Sequence, residues 1–288
     1  MMDEKDWLFL KTLYEKKSIT KAAEMMYVTQ PALTRRLQQI ERELNVCLVE
    51  RMKKGIQFTP EGEYLVSCAD HMIRELSRIR EQLVDMQQDA AGTLRIGASN
   101  LFTKYLLPDV LAGFRLACPK VEFKVTTGRS KYIYDLAYGK EVHVGFIRGD
   151  YLWPSRQKLL FREKIYICAK QSVDIEALPY LPQIEYQNDP TTQVLLDKWW
   201  RERFSVPPNV SMSVNLVDTA KEMVERGLGY AFLPETIVKS SPGLALTPLV
   251  NKNGEQLLRN TWMLYYEESM KLKIARRFVE YIDTLSWS

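Results

Sequence analysis

Three side chains near the beginning of the chain carry hydrogen-bonding groups that match the edges of nucleic-acid bases. Gln30, Thr34 and Arg35 occur within the stretch VTQPALTRRLQQIERELNV, which spans residues 28–46. Glutamine hydrogen-bonds adenine through two atoms, arginine does the same with guanine, and threonine contacts a thymine methyl group or a phosphate. These residue types indicate a surface that reads double-stranded DNA, provided that one structural element presents them together.

A helix over residues 29–44 meets that requirement. Thr29 is placed to cap it, and Pro31 suits its first turn. The apolar residues recur at spacings of four, three and four, which lines one helical face. They are Leu33, Leu37, Ile40 and Leu44. The polar side chains then share the opposite face. A solvated face in an ordinary α-helical bundle is the alternative interpretation.

The flanking segments favour a winged helix-turn-helix domain over residues 1–58. A helix is predicted over residues 4–16 and a short one through KAAEMM, so the polar-faced helix comes third. The sequence LVERMKKGIQFT then alternates like a small hairpin, which would form a basic wing. These 58 residues hold 11 Lys and Arg against 8 Asp and Glu, or +3 of the chain's net charge of +4. We expect four cations to contact DNA phosphates, which adds affinity without sequence information. They are Arg36, Arg51, Lys53 and Lys54.

A heptad pattern follows the predicted wing. Thr59 and Pro60 are helix start signals, and apolar residues then alternate at spacings of four and three. So narrow an apolar stripe needs a partner, which predicts a linker helix over residues 59–91 that forms a homodimer. Packing of this stripe against the rest of its own chain is the alternative. The stripe consists of Leu65, Ala69, Met72, Leu76, Ile79, Leu83 and Met86.

From residue 92 to residue 288, segments of strand and helix periodicity alternate. TLRIGAS, VEFKVTT and VHVGFI read as strands separated by helices, and the second half repeats this order. Alternation of this kind predicts a parallel sheet with helices on both faces. We expect two α/β lobes joined by crossing strands: lobe I over about 92–161 and 267–288, and lobe II over about 162–266. Trp199 and Trp200 are interpreted as core or lobe-packing residues.

Polar side chains follow the predicted strands at the ends where open α/β sheets bind ligands. Hydroxyl groups and helix N-termini attract anions, and arginine pairs with carboxylates. The sequence therefore predicts an anion site between the lobes. Its candidate residues are Ser99, Asn100, Thr127, Arg129, Ser130, Arg148, Thr191 and Thr192. Capping of its own helix by Ser130 and simple surface exposure of Arg129 are the alternatives.

Several classes of protein are disfavoured by composition. The four cysteines lack CxxC spacing and are expected to be reduced thiols, and the two histidines lie far apart. We therefore expect no metal site, no catalytic residues and no cofactor other than a small-molecule effector. The chain begins without a secretory signal and contains no apolar run long enough to span a bilayer, so a cytoplasmic protein without a membrane partner is expected.

The stretch SITKAAEMMYVTQPALTRRLQQIERELNVCLVERMKKGIQFTPEGEYL resembles the N-terminal signature of LysR-type transcriptional regulators. The segment VERGLGYAFLPE is similar to their effector domain, and only Asn45 and Val49 depart from residues usual in the signature. The resemblance implies a winged helix-turn-helix, a long linker helix and a two-lobed effector domain similar to periplasmic binding proteins. It also implies a homodimer or homotetramer, a small effector bound near Ser99, Thr127 and Arg148, and RNA polymerase as a further partner.

The stretches TTGRS, GFIRG, DKWWRERF and RNTWMLYYE resemble the branch of this family that senses citrate. That resemblance implies a di- or tricarboxylate effector bound by Arg259, Ser130 and Arg148. Two competing functions are a solute-binding protein and an enzyme that uses the cleft. The first would not need residues 1–90, and no pairing of nucleophile and base supports the second.

Overall fold

The computed structural model describes residues 2–52, 55–87, 92–239, 241 and 243–287. The chain divides into two compact units, Met1–Gln87 and Gln88–Ser288. The predicted wing cations Lys53 and Lys54 lie outside the described residues.

Three helices, a hairpin and a long fourth helix form the first unit. Asp3 and Asp6 cap the first helix reciprocally, and Ser18 caps the second, which fixes the tight turn between them. Phe9, Leu37 and Ile40 are fully or almost fully buried in the shared core. The elements are α1 (Glu4–Lys16), α2 (Ile19–Met25), α3 (Gln30–Leu44), β1 (Val49–Met52), β2 (Gly55–Phe58) and α4 (Pro60–Gln87).

A glycine lets the wing lie close to the turn between α1 and α2. Strands β1 and β2 pair antiparallel from Val49 opposite Phe58 to Met52 opposite Gly55, as the sequence predicts. Gly55 has a φ of +100°, and a Cβ there would lie 2.5 Å from the carbonyl oxygen of Lys17. Only glycine fits this close approach and backbone conformation.

The apolar residues of α4 have different environments near its start and farther along the helix. Val66 and Ala69 are buried on the side that meets α1, where Lys11 and Asp70 form an ion pair at 2.7 Å. Farther along the predicted heptad stripe, Ile79 is 45% exposed and Leu83 is 56% exposed. The stripe is therefore partly uncovered in the single chain, as a helix that awaits a partner would be.

Nine strands and seven α-helices make up the described part of the second unit. The strands are β3 (Gly92–Ser99), β4 (Val121–Gly128), β5 (Val144–Arg148), β6 (Arg156–Ala169), β7 (Gln183–Tyr186), β8 (Val210–Val214), β9 (Ala231–Pro234), β10 (Ala245–Pro248) and β11 (Leu258–Tyr265). The helices are α5 (Asn100–Tyr105), α6 (Leu107–Ala117), α7 (Ser130–Tyr138), α8 (Pro190–Arg203), α9 (Val217–Glu225), α10 (Glu235–Val238) and α11 (Lys273–Thr284). Short 3₁₀ helices cover Ile175–Tyr180 and Glu267–Lys271.

The main sheet is mixed rather than wholly parallel, which corrects the sequence expectation. Its strand order is β10-β6-β11-β5-β3-β4, and β9 also pairs with β6. Strand β3 runs parallel to β4 and β5, whereas β11 runs antiparallel to β5 and β6. The helical crossovers make the first three strands parallel, but β6 and β11 pass between the lobes in opposite directions.

The boundary between the lobes also differs from the prediction. Strand β11 (Leu258–Tyr265), expected in lobe II, pairs with β5 and with the first part of β6 in the sheet of lobe I. The second part of β6, from Ile165, pairs with β9 and β10 of lobe II. Strand partners decide lobe membership, and periodicity along one segment carries no information about them.

Each lobe has its own aromatic core. In lobe I, Phe102 and Phe146 stack with ring centroids 4.3 Å apart, and Phe278 of α11 meets Phe146 edge-on. In lobe II, Trp199 and Trp200 are buried against Phe232, which agrees with their interpretation as core residues. Because both cores are closely packed, they hold the polar strand ends between the lobes in fixed positions.

Candidate nucleic-acid interface and inter-lobe site

The N-terminal turns of α3 present the polar side chains that the sequence singled out. Thr29, Gln30, Pro31 and Arg35 are exposed, and Thr34 is half-buried. Gln30 Nε2 donates to Thr34 Oγ1 at 2.8 Å, and Thr29 makes no side-chain capping bond. Free N–H groups at a helix N-terminus attract phosphate, so this end combines anion attraction with base-reading side chains.

Arg36 has a structural partner. Its Nε donates to Asp6 Oδ1 at 2.6 Å, and its Nη2 donates to Asp6 Oδ2, which joins α3 to α1. Burial raises the pKa of Asp6, but the hydrogen bonds from Arg36 and Asp3 and the charge of Arg36 together outweigh it and lower that pKa. The expected phosphate contact of Arg36 therefore competes with a bidentate ion pair inside the domain.

An exposed aromatic residue next to α3 was missed by the sequence reasoning. Tyr27 is 97% exposed and has a φ of +56°, a conformation that holds it outside the helical core. It lies in the turn just before Thr29. The sequence signal was an aromatic residue placed in a helix-turn-helix turn. Arg51 lies in β1, the first strand of the wing.

A small space of about 90 Å³ lies between the lobes at the ends of β3, β4 and β5. The predicted residues that line it are Ser99, Asn100, Arg129, Ser130, Arg148 and Arg259. Residues that sequence reasoning missed also line it, including Tyr186, Asn188, Asp189, Asn215 and Asp218. Strands from both lobes therefore converge on one polar space, as expected for an open α/β arrangement.

Arg148 is the most unusual group at this space. Its side chain is 3% exposed, and its Nε, Nη1 and Nη2 find no hydrogen-bond partner among the described residues. Its nearest opposite charge is Glu163, with Nη1 and Oε1 3.6 Å apart. Burial lowers the pKa of Arg148 to about 10, against the opposing effect of Glu163. A buried guanidinium normally bonds through most of its five N–H groups, so this one is available to a ligand.

Glu163 and Arg259 form the buried ion pair beside Arg148. Arg259 donates to Glu163 Oε1 at 2.7 Å, while Thr236 donates to Oε2 through its N–H and its hydroxyl group. Burial alone would raise the pKa of Glu163, but the charges of Arg259 and Arg148 hold it at about 2. Burial would lower the pKa of Arg259, but the nearby charge of Glu163 raises it. Glu163 is therefore a permanent anion at neutral pH.

The predicted hydroxyl groups have different surroundings. Ser130 Oγ accepts the backbone N–H of Arg148 at 3.0 Å, so it anchors the strand end. Ser99 Oγ is buried without a hydrogen-bond partner among the described residues. Thr127 donates to Thr103 at 3.3 Å and does not line the space. Ser99 is thus the hydroxyl group that a ligand can use.

The N-terminus of α8 is already occupied by a carboxylate. Asp189 accepts the N–H of Thr192 at 2.9 Å and the hydroxyl groups of Thr191 and Thr192 at 2.7 and 2.8 Å. Neither threonine lines the inter-lobe space. Gly149, with a φ of +85°, approaches so closely that a Cβ would lie 1.9 Å from Thr191 Oγ1. These contacts position α8 against lobe I and leave its end without spare donors.

Two family models together match almost the whole chain. Residues 5–63 match the bacterial regulatory helix-turn-helix protein of the lysR family, and residues 87–286 match the LysR substrate binding domain. The chain belongs to the LysR family. It is a DNA-binding transcriptional regulator with a substrate-binding domain, and its relatives are regulators rather than enzymes.

Relatives and solved structures of LysR regulators cover this chain from end to end. The uncharacterized HTH-type transcriptional regulator YraN of Bacillus subtilis is 37% identical over 98% of this chain and 97% of its own. Full-length CbnR, solved in complex with its target DNA, has a TM-score of 0.72 at 17% identity and covers 98% and 99% of the two chains. Full-length AphB of Vibrio cholerae has a TM-score of 0.65 at 18% identity, with 99% and 100% covered.

Two further observations concern what this LysR regulator lacks within the described residues. None of the helices there is both long enough and apolar enough to cross a bilayer. Over the same part of the chain, no three His, Cys, Asp or Glu side chains are arranged to hold a metal ion.

Proposed function

We propose that this LysR regulator senses a small carboxylate between its lobes, with Arg148 as the main contact. One observation carries the proposal: a fully buried guanidinium whose three nitrogens make no hydrogen bond among the described residues. Leaving such a group unsatisfied costs free energy that a bidentate carboxylate would recover. Ser99 Oγ, also unpartnered, supplies a neutral donor at the same space.

The charges around the space favour a ligand with a single negative charge. Among the fully buried charged groups there, Arg148 and Arg259 are positive and Glu163 cancels one of these charges. The less buried Asp218 is paired with Lys104, and Asp189 accepts hydrogen bonds from Thr191 and Thr192. The space is also small, with a volume of about 90 Å³ against the ~300–1,000 Å³ of typical ligand cavities. We therefore favour a short monocarboxylate over a tricarboxylate such as citrate, which the sequence resemblance suggested.

The other predicted ligand residues differ in how directly they would act on the ligand. Arg129 and Asn100 line the space and would contact the part of the ligand beyond its carboxylate. Ser130 supports Arg148 through its backbone, and Arg259 acts by neutralising Glu163. Thr127, Thr191 and Thr192 have protein partners and would act at most through the shape of the lobes.

On the DNA side, we propose that Gln30, Thr34 and Arg35 contact base edges in the major groove. Thr29 and Pro31 would approach the backbone at the same helix end, where N–H groups attract phosphate. Arg51, Lys53 and Lys54 of the wing would contact phosphates and set affinity rather than sequence preference. Arg36 would contribute chiefly by holding α3 against α1.

We propose a homodimer formed through residues 59–91, which pairs two such domains on two half-sites, and a tetramer built from two dimers. RNA polymerase is the expected further partner, and the cytoplasm the expected location. Leu76→Asp would bury an unpaired charge in the stripe, so we expect it to dissociate the dimer, whereas Arg74→Asp should not. Equal sedimentation of the two variants would refute pairing through this stripe.

Calorimetric titration of the wild-type protein tests the proposed ligand class. Acetate, lactate and pyruvate represent short monocarboxylates, and citrate represents the tricarboxylates. We expect saturable binding of at least one monocarboxylate and an accompanying change in DNA affinity, because a ligand shifts an equilibrium only by its difference in affinity for two states. Binding of citrate alone would contradict the charge argument, and binding of none would contradict the site.

A further inference from the structure

Lobe II contains a second cavity, which is separate from the inter-lobe space and much larger. Its volume is about 520 Å³, and it lies between α8, strands β7 and β8, and the loop 204–208. Cavities that bind small molecules are typically about 300–1,000 Å³, with mostly apolar walls and a few polar groups. The inter-lobe space described above is far below this range.

Aromatic and apolar side chains form part of the wall of this cavity, and its lining also includes the carboxylates of Glu185 and Asp197. Trp200 and Phe204 lie with ring centroids 4.6 Å apart, and Phe232 meets Trp200 nearly edge-on at 6.4 Å. The indole Nε1 of Trp200 donates to the carbonyl oxygen of Val206 at 2.8 Å, so the ring offers only its apolar surface. Flat aromatic molecules pack favourably against such a wall through offset or edge-to-face contacts.

Arg201 places a positive charge at the rim of this cavity. Arg201, exposed on α8, uses its Nε to bond the carbonyl oxygen of Asp197 at 3.2 Å. Its guanidinium forms no ion pair within 4 Å in the part of the chain that the structure describes. Asp197 instead accepts a hydrogen bond from Gln193 at 2.8 Å. The terminal N–H groups of Arg201 are thus free to meet an anionic group at the cavity mouth.

We propose that this cavity of lobe II is a second binding site, whose ligand is an aromatic acid. The ring system would pack on Trp200, Phe204 and Phe232, and the acidic group would meet Arg201. The volume and the aromatic wall support an aromatic ligand, and the terminal N–H groups of Arg201 support an acidic group on it, independently of the carboxylate proposed at Arg148. Tyr186 and Asn188 line both this cavity and the inter-lobe space, so binding at the second site would affect binding at the first. This coupling between the two sites rests on the proposed function, whereas binding of a ligand in the cavity of lobe II does not.

A fluorescence titration with 1-anilinonaphthalene-8-sulfonate tests the cavity, because this dye joins fused aromatic rings to an acidic group and brightens in apolar surroundings. Val206→Trp adds a bulky ring at the lining, and Val194→Trp adds the same ring on α8 outside it. We expect the dye to bind the Val206→Trp protein about tenfold more weakly than wild type, from lost space for the rings. The Val194→Trp protein should bind like wild type.

Charge at the rim gives a second, milder pair of variants. Arg201→Gln should weaken dye binding about threefold and reduce its salt dependence, as expected for one exposed ion pair. Lys198→Gln removes a charge from the same helix outside this cavity and should change neither. Equal dye affinity in wild type, Val206→Trp and Arg201→Gln would place the dye elsewhere and overturn the proposal. Loss of dye binding as protein concentration rises would show that a second copy covers the cavity, which would overturn it too.

Discussion

Each unit contains an internal ion pair, which is partly buried in the DNA-binding unit and fully buried in the effector-binding unit. Only the effector-binding pair has beside it a buried arginine without hydrogen-bond partners among the described residues. Arg36 holds Asp6 through two hydrogen bonds and thereby joins two helices of the DNA-binding unit. In the effector-binding unit, Arg259 holds Glu163 in a similar way, but the neighbouring Arg148 bonds to neither. A satisfied pair stabilises the fold, whereas an unsatisfied buried cation costs free energy until something binds it.

The largest effect is expected from Glu163→Gln. This change leaves Arg148 and Arg259 without their shared anion, and we expect the free energy of unfolding at pH 7 to fall by about 3 kcal/mol. Glu280→Gln, an exposed change on α11, should be nearly neutral. Urea unfolding of the two variants measures the difference. An unchanged free energy of unfolding in Glu163→Gln would mean that Arg148 and Arg259 lie side by side without needing the anion between them.

The same residue predicts how stability depends on pH. The pKa of Glu163 is about 2 in the folded protein, against an ordinary value of 4.5. A lowered carboxyl pKa stabilises the fold above about pH 4.5, and this contribution is lost as pH falls towards 2. Wild type should therefore lose stability across that window, and Glu163→Gln should lose less. Parallel pH profiles of the two proteins would contradict the assignment.

A smaller loss of stability is expected from Arg36→Met, which strips Asp6 of its partner. We expect unfolding of the DNA-binding unit to become easier by about 2 kcal/mol, because Arg36 is only partly buried. Arg35→Met, on the exposed side of the same helix, should change stability little. Circular dichroism during urea unfolding reports both. If Arg36→Met weakened DNA binding at unchanged stability, Arg36 would be a phosphate contact after all.

Arg35 should show the opposite behaviour, an effect on DNA and none on folding. Arg35→Ala should weaken specific DNA binding by about 1–3 kcal/mol and relax base preference, if it meets a base edge. Arg42 is a close control, since its Nε also bonds the carbonyl oxygen four residues earlier on α3. Mobility-shift assays on specific and random DNA compare Arg35→Ala with the control variant Arg42→Ala. Identical losses for both variants would remove Arg35 from base reading.

Local periodicity was enough to predict α3, the wing and α4, because each depends on neighbours within a few residues. The two ion pairs were beyond such reasoning. Glu163 and Arg259 are 96 positions apart, and Asp6 and Arg36 are 30 apart, so only tertiary packing brings them together. Asp189 was missed for a different reason, because an aspartate directly before a proline is a local helix-start signal that was not applied to the start of α8.

Only a small effect on stability is expected at Arg148, and this residue tests the central claim most directly. Methionine fills a similar volume without charge, so Arg148→Met should change the free energy of unfolding by less than about 1 kcal/mol. Calorimetric titration with the monocarboxylate that wild type binds should show no binding to this variant, while Arg129→Met should retain it with reduced affinity. Wild-type affinity in Arg148→Met would contradict Arg148 as the carboxylate contact.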